Sequence, residues 1–330
     1  MGRNGLMLSG NDLLHEAAAS SFQAEPLEKV LRLLELLDAL RSHPFLRGRI
    51  VLKGGTALNL FVLDIPRLSV DIDLNYVGAV DRETMLAEKP QVDAAIGAVC
   101  GRLDIRIRRT PGDHAGGKYR LTYTNAFGRA SGLELDVNYL LRTPLWPPET
   151  LDSRTIGSFS ATQIPVLDIH ELAAGKLAAL FSRHAARDLF DVRGLLQHAR
   201  LDADRLRLAF VVYGGANRRD WRKVAIEDIN TERRELERQL FPMLRAHLVP
   251  QRHEVESWIE ALIRDCTEQV SVVLPLRANE IEFLTNLNED GTIAAELLSS
   301  DTDVQKLIRF HPGLLWKAQN VREYRTGREH

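Results

Sequence analysis

The sequence predicts an α+β protein: a small mixed sheet with flanking helices, followed by an almost wholly helical second half. Three observations carry this. Segments around Ile50 to Leu52, Ser69 to Leu74, Leu103 to Arg109, Lys118 to Thr124 and Gly132 to Leu140 are short and mostly alternate apolar with polar residues, the period-2 pattern of half-buried strands. From Asp168 onward the apolar residues recur with a helical period instead. Between the two regimes Pro144, Pro147 and Pro148 interrupt regular structure, and a last short strand is expected at Ile164 to Leu167. The domain boundary is therefore placed before Asp168, giving domains 1–167 and 168–330.

Taken in order, Glu28 to Leu40 sets Val30, Leu31, Leu33, Leu34, Leu36, Leu37 and Leu40 on a broad apolar face, which predicts an amphipathic helix. A strand, a glycine pair, a short apolar helix and a second strand follow over Ile50 to Leu74. A helix is expected from Arg82 to about Arg102, then the alternating strands, with a glycine-rich loop from Pro111 to Gly117. Asp168 is placed as an N-cap with Glu171 as its capping-box partner. Further helices are expected at Ala203 to Val212, Thr231 to His247, Glu254 to Val270 and Val304 to Phe310.

The chemistry concentrates in Lys53-Gly54-Gly55-Thr56-Ala57-Leu58 and Ser69-Val70-Asp71-Ile72-Asp73-Leu74. A strand sends alternate side chains to opposite faces, so Asp71 and Asp73 stand side by side while Val70, Ile72 and Leu74 face a core. Two such carboxylates raise each other's pKa unless a cation neutralises them. Mg²⁺ suits the pair, because it is held by one or two carboxylates together with substrate phosphates. Gly54 and Gly55 can bend the chain and admit a phosphate close to the backbone, and Thr56 opens a helix whose free N–H groups attract anions. Ser69 shares the face of the aspartates and is a candidate for contact with a triphosphate or metal-bound water. Lys53 is placed either on phosphate or in solvent, and Arg67 at the surface.

A glycine pair, short helix and Asp-x-Asp strand resemble the signature of the DNA polymerase β-like nucleotidyltransferases. Lys-Gly-Gly-Thr-Ala-Leu with Ser-x-Asp-Ile-Asp-Leu is similar to the AbiEii/AbiGii toxins, the nucleotidyltransferase half of bacterial toxin–antitoxin and phage-defence systems. The second part of that pattern corresponds to Glu171 to Leu180 followed by Arg183 and Arg187-Asp188-Leu189-Phe190-Asp191. The resemblance covers roughly residues 50 to 195, with a looser echo from Arg309 to Asn320. It implies a polymerase β-like core followed by a helical domain that completes the active-site cleft. It further implies Mg²⁺-dependent transfer of NMP from an NTP to an RNA acceptor, in the first place the tRNA 3′ end, with a cognate antitoxin as protein partner. Transfer to a protein or small molecule, and a non-catalytic nucleotide-binding role, are the alternatives.

The resemblance also asks for a third carboxylate. On Leu133 to Tyr139, Glu134, Asp136 and Asn138 share one face, and Asp136 is the candidate; the alternative is a solvent-facing acid on an amphipathic strand. Lys176 lies in the middle of an apolar run, where a charge is costly unless paired with phosphate or carboxylate. By resemblance it touches nucleotide phosphates and stabilises the charge that builds as pyrophosphate leaves, with Asp191 beside it in the catalytic set and Arg187 in the nucleotide set. Arg183, Arg187 and Asp191 recur every fourth residue, so on one helix they would line one ridge; a plain salt-bridge stripe is the alternative.

Composition excludes more than it selects. The 330 residues are 45% hydrophobic with a formal net charge of -2 and a pI near 6.6, so any RNA contact must be a local patch, for which Arg218, Arg219, Arg222 and Lys223 are candidates. Cys100 and Cys266 lack metal-ligand spacing, as in a reduced cytoplasmic protein. No apolar run reaches membrane-span length and no signal-peptide layout opens the chain, so a cytoplasmic location and no membrane partner are expected. Gly112 to Lys118 nearly spells a P-loop, but Tyr119 replaces the Ser/Thr and a strand replaces the helix.

Overall fold

A computed structural model describes residues 9–110 and 116–326. The described residues form two compact units: one from Met1–Arg142, Pro148–Leu167 and Glu237–Arg252, the other from Thr143–Pro147, Asp168–Leu236 and His253–His330.

Unit 1 is built on a seven-stranded mixed sheet. Helices α1 (Gly10–Ser20) and α2 (Ala24–Ser42) precede β1 (Ile50–Lys53), which turns directly into the single turn α3 (Gly54–Ala57) and a π-helical turn, Leu58–Val62. Then come β2 (Asp71–Tyr76), α4 (Arg82–Arg102), β3 (Arg106–Thr110), β4 (Gly116–Thr124), β5 (Ala130–Asn138), β6 (Glu149–Leu151) and β7 (Ile164–Val166). Spatial order is β3-β4-β5-β2-β1-β7-β6. Pairs β1/β2, β3/β4, β4/β5 and β6/β7 are antiparallel, whereas β2/β5 and β1/β7 are parallel.

Strict alternation along β4 and β5 buries Tyr119, Leu121, Tyr123, Leu133, Leu135 and Val137 on one face. That face is covered by the helices, with α2 packed on β5 and β7 and α4 on β3. The predicted leucine stripe of α2 is fully used: Leu31, Leu33, Leu34, Leu36, Leu37 and Leu40 are all buried, each stabilising the unit by roughly 1.5–3 kcal/mol relative to exposure. With its apolar face spent on the core, the opposite face of the sheet is left polar.

Unit 2 is helical: α5 (Ile169–Arg183), α6 (Ala186–His198), α7 (Ala203–Gly215), the single turn α8 (Arg233–Glu235), α9 (Val255–Val270), α10 (Ala278–Thr285), α11 (Thr302–Arg309) and α12 (Pro312–Thr326). α5 packs on α6 and α7, and α6 on α9. Phe181, Phe210 and Trp221 form an aromatic centre with ring centroids 5.1–6.0 Å apart. Trp221 fits only because residue 214 is glycine, since a Cβ there would lie 2.0 Å from its Nε1. Arg207 of α7 grips Glu280 of α10 through Nε at 2.9 Å and Nη2 at 2.6 Å, both side chains buried.

Three expectations are corrected. The single helix read at Thr231 to His247 is instead α8, a π turn at Leu236–Leu240 and 3-10 turns at Phe241–Met243 and Ala246–Leu248. Pro242 cannot supply a helical N–H, and the segment instead uses its backbone elsewhere: Met243 O accepts from Leu68 N at 2.8 Å. For the same reason Arg67 is not at the surface; it is only 2% exposed, forms a bridge with Leu244, and donates from Nη1 to Leu68 O. Glu171 does not cap α5: Asp168 accepts from His170 N, while Glu171 binds elsewhere, as described below. The loop expected at Pro111 to Gly117 lies outside the described residues over 111–115, and Gly116 and Gly117 begin β4.

Candidate active site

The register of the sheet arranges the polar face in two rows. Across β1, β2, β5 and β4, Lys53 stands opposite Asp73, Asp73 opposite Asp136, and Asp136 opposite Lys118. One step along, Asp71 is opposite Glu134, Glu134 opposite Arg120, and Arg120 opposite Arg108 of β3. Neighbouring strands lie about 4.8 Å apart, so each row places an acidic pair beside cations within hydrogen-bonding or Coulombic reach. Lys118 Nζ is 3.8 Å from Asp136 Oδ2, and Arg120 Nε is 4.0 Å from Glu134 Oε1.

This neighbourhood shapes the charges. Burial pushes the Asp136 carboxyl above its usual range; Lys118 and Lys53 pull it down, while Asp73 and Glu134 push it further up. Burial also depresses the Lys53 ammonium, against the attraction of Asp73 and Asp136. Lys53 thus faces carboxylates, and its charge helps hold two acids next to each other in a partly desolvated place.

Gly54 closes the floor of the site. Its φ is +74°, and a Cβ would lie 2.3 Å from Asp73 Oδ2, so both backbone handedness and contact require glycine. The Thr56 hydroxyl is buried and donates to Asp71 O at 2.6 Å, tying α3 to the start of β2. One turn later Asn59 donates from Nδ2 to Gly55 O at 2.9 Å, which ties the π turn back to α3. Ser69 is buried two residues before β2. Among the described residues no group of three or more His, Cys, Asp or Glu side chains is arranged to hold a metal ion. Two carboxylates on one strand face are nonetheless a fitting donor set for Mg²⁺, whose remaining ligands are ordinarily water and substrate phosphate.

The second constellation lies in unit 2. Lys176 is buried on α5, with Nζ 2.7 Å from Asp191 Oδ2 and 3.1 Å from Asp188 Oδ1. Arg183 closes on Asp188 with Nε at 2.6 Å and Nη2 at 3.0 Å. Burial drives Asp188 upward, but Lys176 and Arg183 more than offset it and leave its pKa below the usual value. Sequence reasoning named Lys176 and Asp191 and passed over Asp188; its signal was the i, i+3 spacing with Asp191, which puts both on one face of α6. Arg183, Arg187 and Asp191 do not form one ridge, because α5 ends at Arg183 and His184 turns left-handed before α6 starts.

Glu171 is a further buried acid in unit 2. Its Oε1 accepts from Tyr213 Oη at 3.0 Å and its Oε2 from Trp146 N at 3.2 Å. Burial outweighs those bonds and lifts its pKa to about 7. Of the basic cluster, Arg219 is committed to Asp228 at 2.6 Å, and Arg222 to Asp220 and Glu289 at 2.9 and 2.6 Å. Arg218 and Lys223 are exposed.

No helix among the described residues is long and apolar enough to cross a membrane. No curated protein matches the chain. Among solved structures, the nucleotidyltransferase toxin MenT4 (Rv2826c) from Mycobacterium tuberculosis H37Rv superposes with a TM-score of 0.60 at 19% identity, over 92% of this chain and 98% of that one, a likeness of fold. The model of the family described as nucleotidyl transferase AbiEii toxin of type IV toxin–antitoxin systems matches residues 35–264. With the match running through both the Asp71/Asp73 strand and the Lys176–Asp191 pair, the chain belongs to the AbiEii family of nucleotidyltransferase toxins.

Proposed function

We propose that the protein transfers an NMP unit from an NTP to the 3′ end of an RNA, in the first place tRNA, and that a cognate antitoxin restrains it. The observation that carries this is the register placing Asp71, Asp73 and Asp136 on adjacent strands of one polar sheet face, with Lys53 beside them. Asp71 and Asp73 would hold Mg²⁺, which when bound polarises the α-phosphate and neutralises the triphosphate. Asp136, with its raised pKa, is suited to accept the proton of the attacking 3′-hydroxyl. Gly54 and Gly55 leave the backbone open for the phosphates, Thr56 and Ser69 position the strand entry, and Arg187 is assigned to the nucleotide.

Lys176 is assigned to the phosphates as well. An ammonium has three donors, and Asp188 and Asp191 take two. An RNA acceptor is favoured over a small molecule by the cations Arg108, Arg120 and Lys118 in the same two rows as the acids, since successive phosphates of a polynucleotide need successive positive charges.

The test incubates the protein with total tRNA, Mg²⁺ and each labelled NTP in turn, alongside Asp71→Ala. Label from one or two NTPs should enter tRNA and fall by on the order of 100-fold or more in the variant. Label on protein or a small molecule instead would replace the acceptor; NTP binding with no transfer would leave a nucleotide-binding module.

A further inference from the structure

Unit 2 carries a groove of about 520 Å³ whose lining includes Arg218, Glu289, Trp316, Lys317, Asn320 and Tyr324, with Arg325 at its end. Its size is that of an ordinary ligand site. Trp316, Asn320 and Tyr324 recur every fourth residue on α12, so they share one helix face. Both aromatic rings are unusually open for their size, Trp316 at 38% and Tyr324 at 61%. Eight residues of helix separate them by about 12 Å, which leaves room for roughly two bases at the ~3.4 Å stacking distance.

Charge completes the picture. Arg218 forms no ion pair among the described residues and stands at the groove from the turn after α7. Lys317 donates to Asn217 O at 3.1 Å, and burial depresses its ammonium. Arg325 is held by Asp290 and the Glu289 carbonyl. Glu289, the one acid among the lining side chains, is itself neutralised by Arg222. An open pair of aromatics on one helix face, rimmed by cations, is the composition that holds unpaired nucleotides by stacking and phosphate contact.

We propose that this groove binds a short unpaired stretch of a polynucleotide, with bases against Trp316 and Tyr324 and a phosphate on Arg218. The inference rests on the reading of the acceptor as RNA. It is tested on the full chain in EDTA, without NTP, by fluorescence anisotropy with a fluorescein-labelled unstructured 12-mer oligoribonucleotide. Trp316→Ala and Tyr324→Ala should each raise Kd roughly 5- to 150-fold, the range for loss of one base stack. Trp316→Phe should keep most of the binding, and Arg218→Glu should weaken it while flattening its salt dependence.

Arg218 is exposed, so Arg218→Glu reads the site even if an aromatic variant folds poorly. Unchanged Kd in Trp316→Ala, Tyr324→Ala and Arg218→Glu together overturns the proposal, including the case in which the groove seats a protein. Groove-dependent binding with no label transfer to tRNA would instead leave this site standing and remove the acceptor assignment.

Discussion

Gly54 is where backbone conformation and the geometry of the candidate site meet. Gly48 has nearly the same left-handed backbone, φ +72°, but a Cβ there would meet nothing within 4 Å. The two glycines therefore separate strain from contact. Gly48→Ala and Gly54→Ala should each lose about 1–3 kcal/mol of stability in urea unfolding. Only Gly54→Ala should also lose nucleotidyl transfer, because its methyl group displaces the Asp73 carboxylate. A Gly54→Ala protein as active as Gly48→Ala would show that Asp73 does not need its present position. The sequence made Gly54, Asp71 and Asp73 legible because adjacent residues in a strand or turn have fixed local geometry. It could not say that Thr56 spends its hydroxyl on Asp71 O, a contact that depends on how α3 folds back over β2.

At the scale of elements, α5 and α6 are joined by the buried charges of Lys176, Asp188 and Asp191, with the exposed Arg183 closing on Asp188 from the solvent side. Opposite charge at hydrogen-bonding distance is what makes the buried acids tolerable there. Lys176→Met removes the buried ammonium that bonds both Asp188 and Asp191, and should cost about 3–5 kcal/mol. A loss below ~1 kcal/mol in urea titration would show that the carboxylates find water instead. The helices were readable from their apolar period. So was the break between α5 and α6, read at Ser182 to Ala186, although no proline or glycine marks it; the left-handed turn of His184 that makes it was not. The Thr231 to His247 segment misled for the opposite reason: its local pattern is helical, but its tertiary contacts with Arg67 and Leu68 pull it into short turns.

For the whole molecule, the return of Glu237–Arg252 to unit 1 has a thermodynamic consequence. Leu240 and Leu244 are buried, and Leu68 N is satisfied by Met243 O. A fragment of residues 1–167 therefore loses apolar cover and leaves the Leu68 N–H and the buried Arg67 without these partners. It should show no cooperative thermal transition, or one well below that of the full chain. A fragment melting with the full chain's first transition would mean that 237–252 adds nothing to unit 1.

By itself the sequence determined the α+β class, the Asp71/Asp73 strand, the glycine turn before it and the need of Lys176, in its apolar run, for an anionic partner. All of these are local, set by the period of a strand or helix and by the cost of burying charge. Only the tertiary structure decided that β5 lies parallel to β2 in a register that sets Asp136 opposite Asp73, that Lys53 faces those acids, and that Asp188 joins Lys176. Strand order and register come from which apolar faces pack together across long stretches of chain, and no spacing within a single element records that choice.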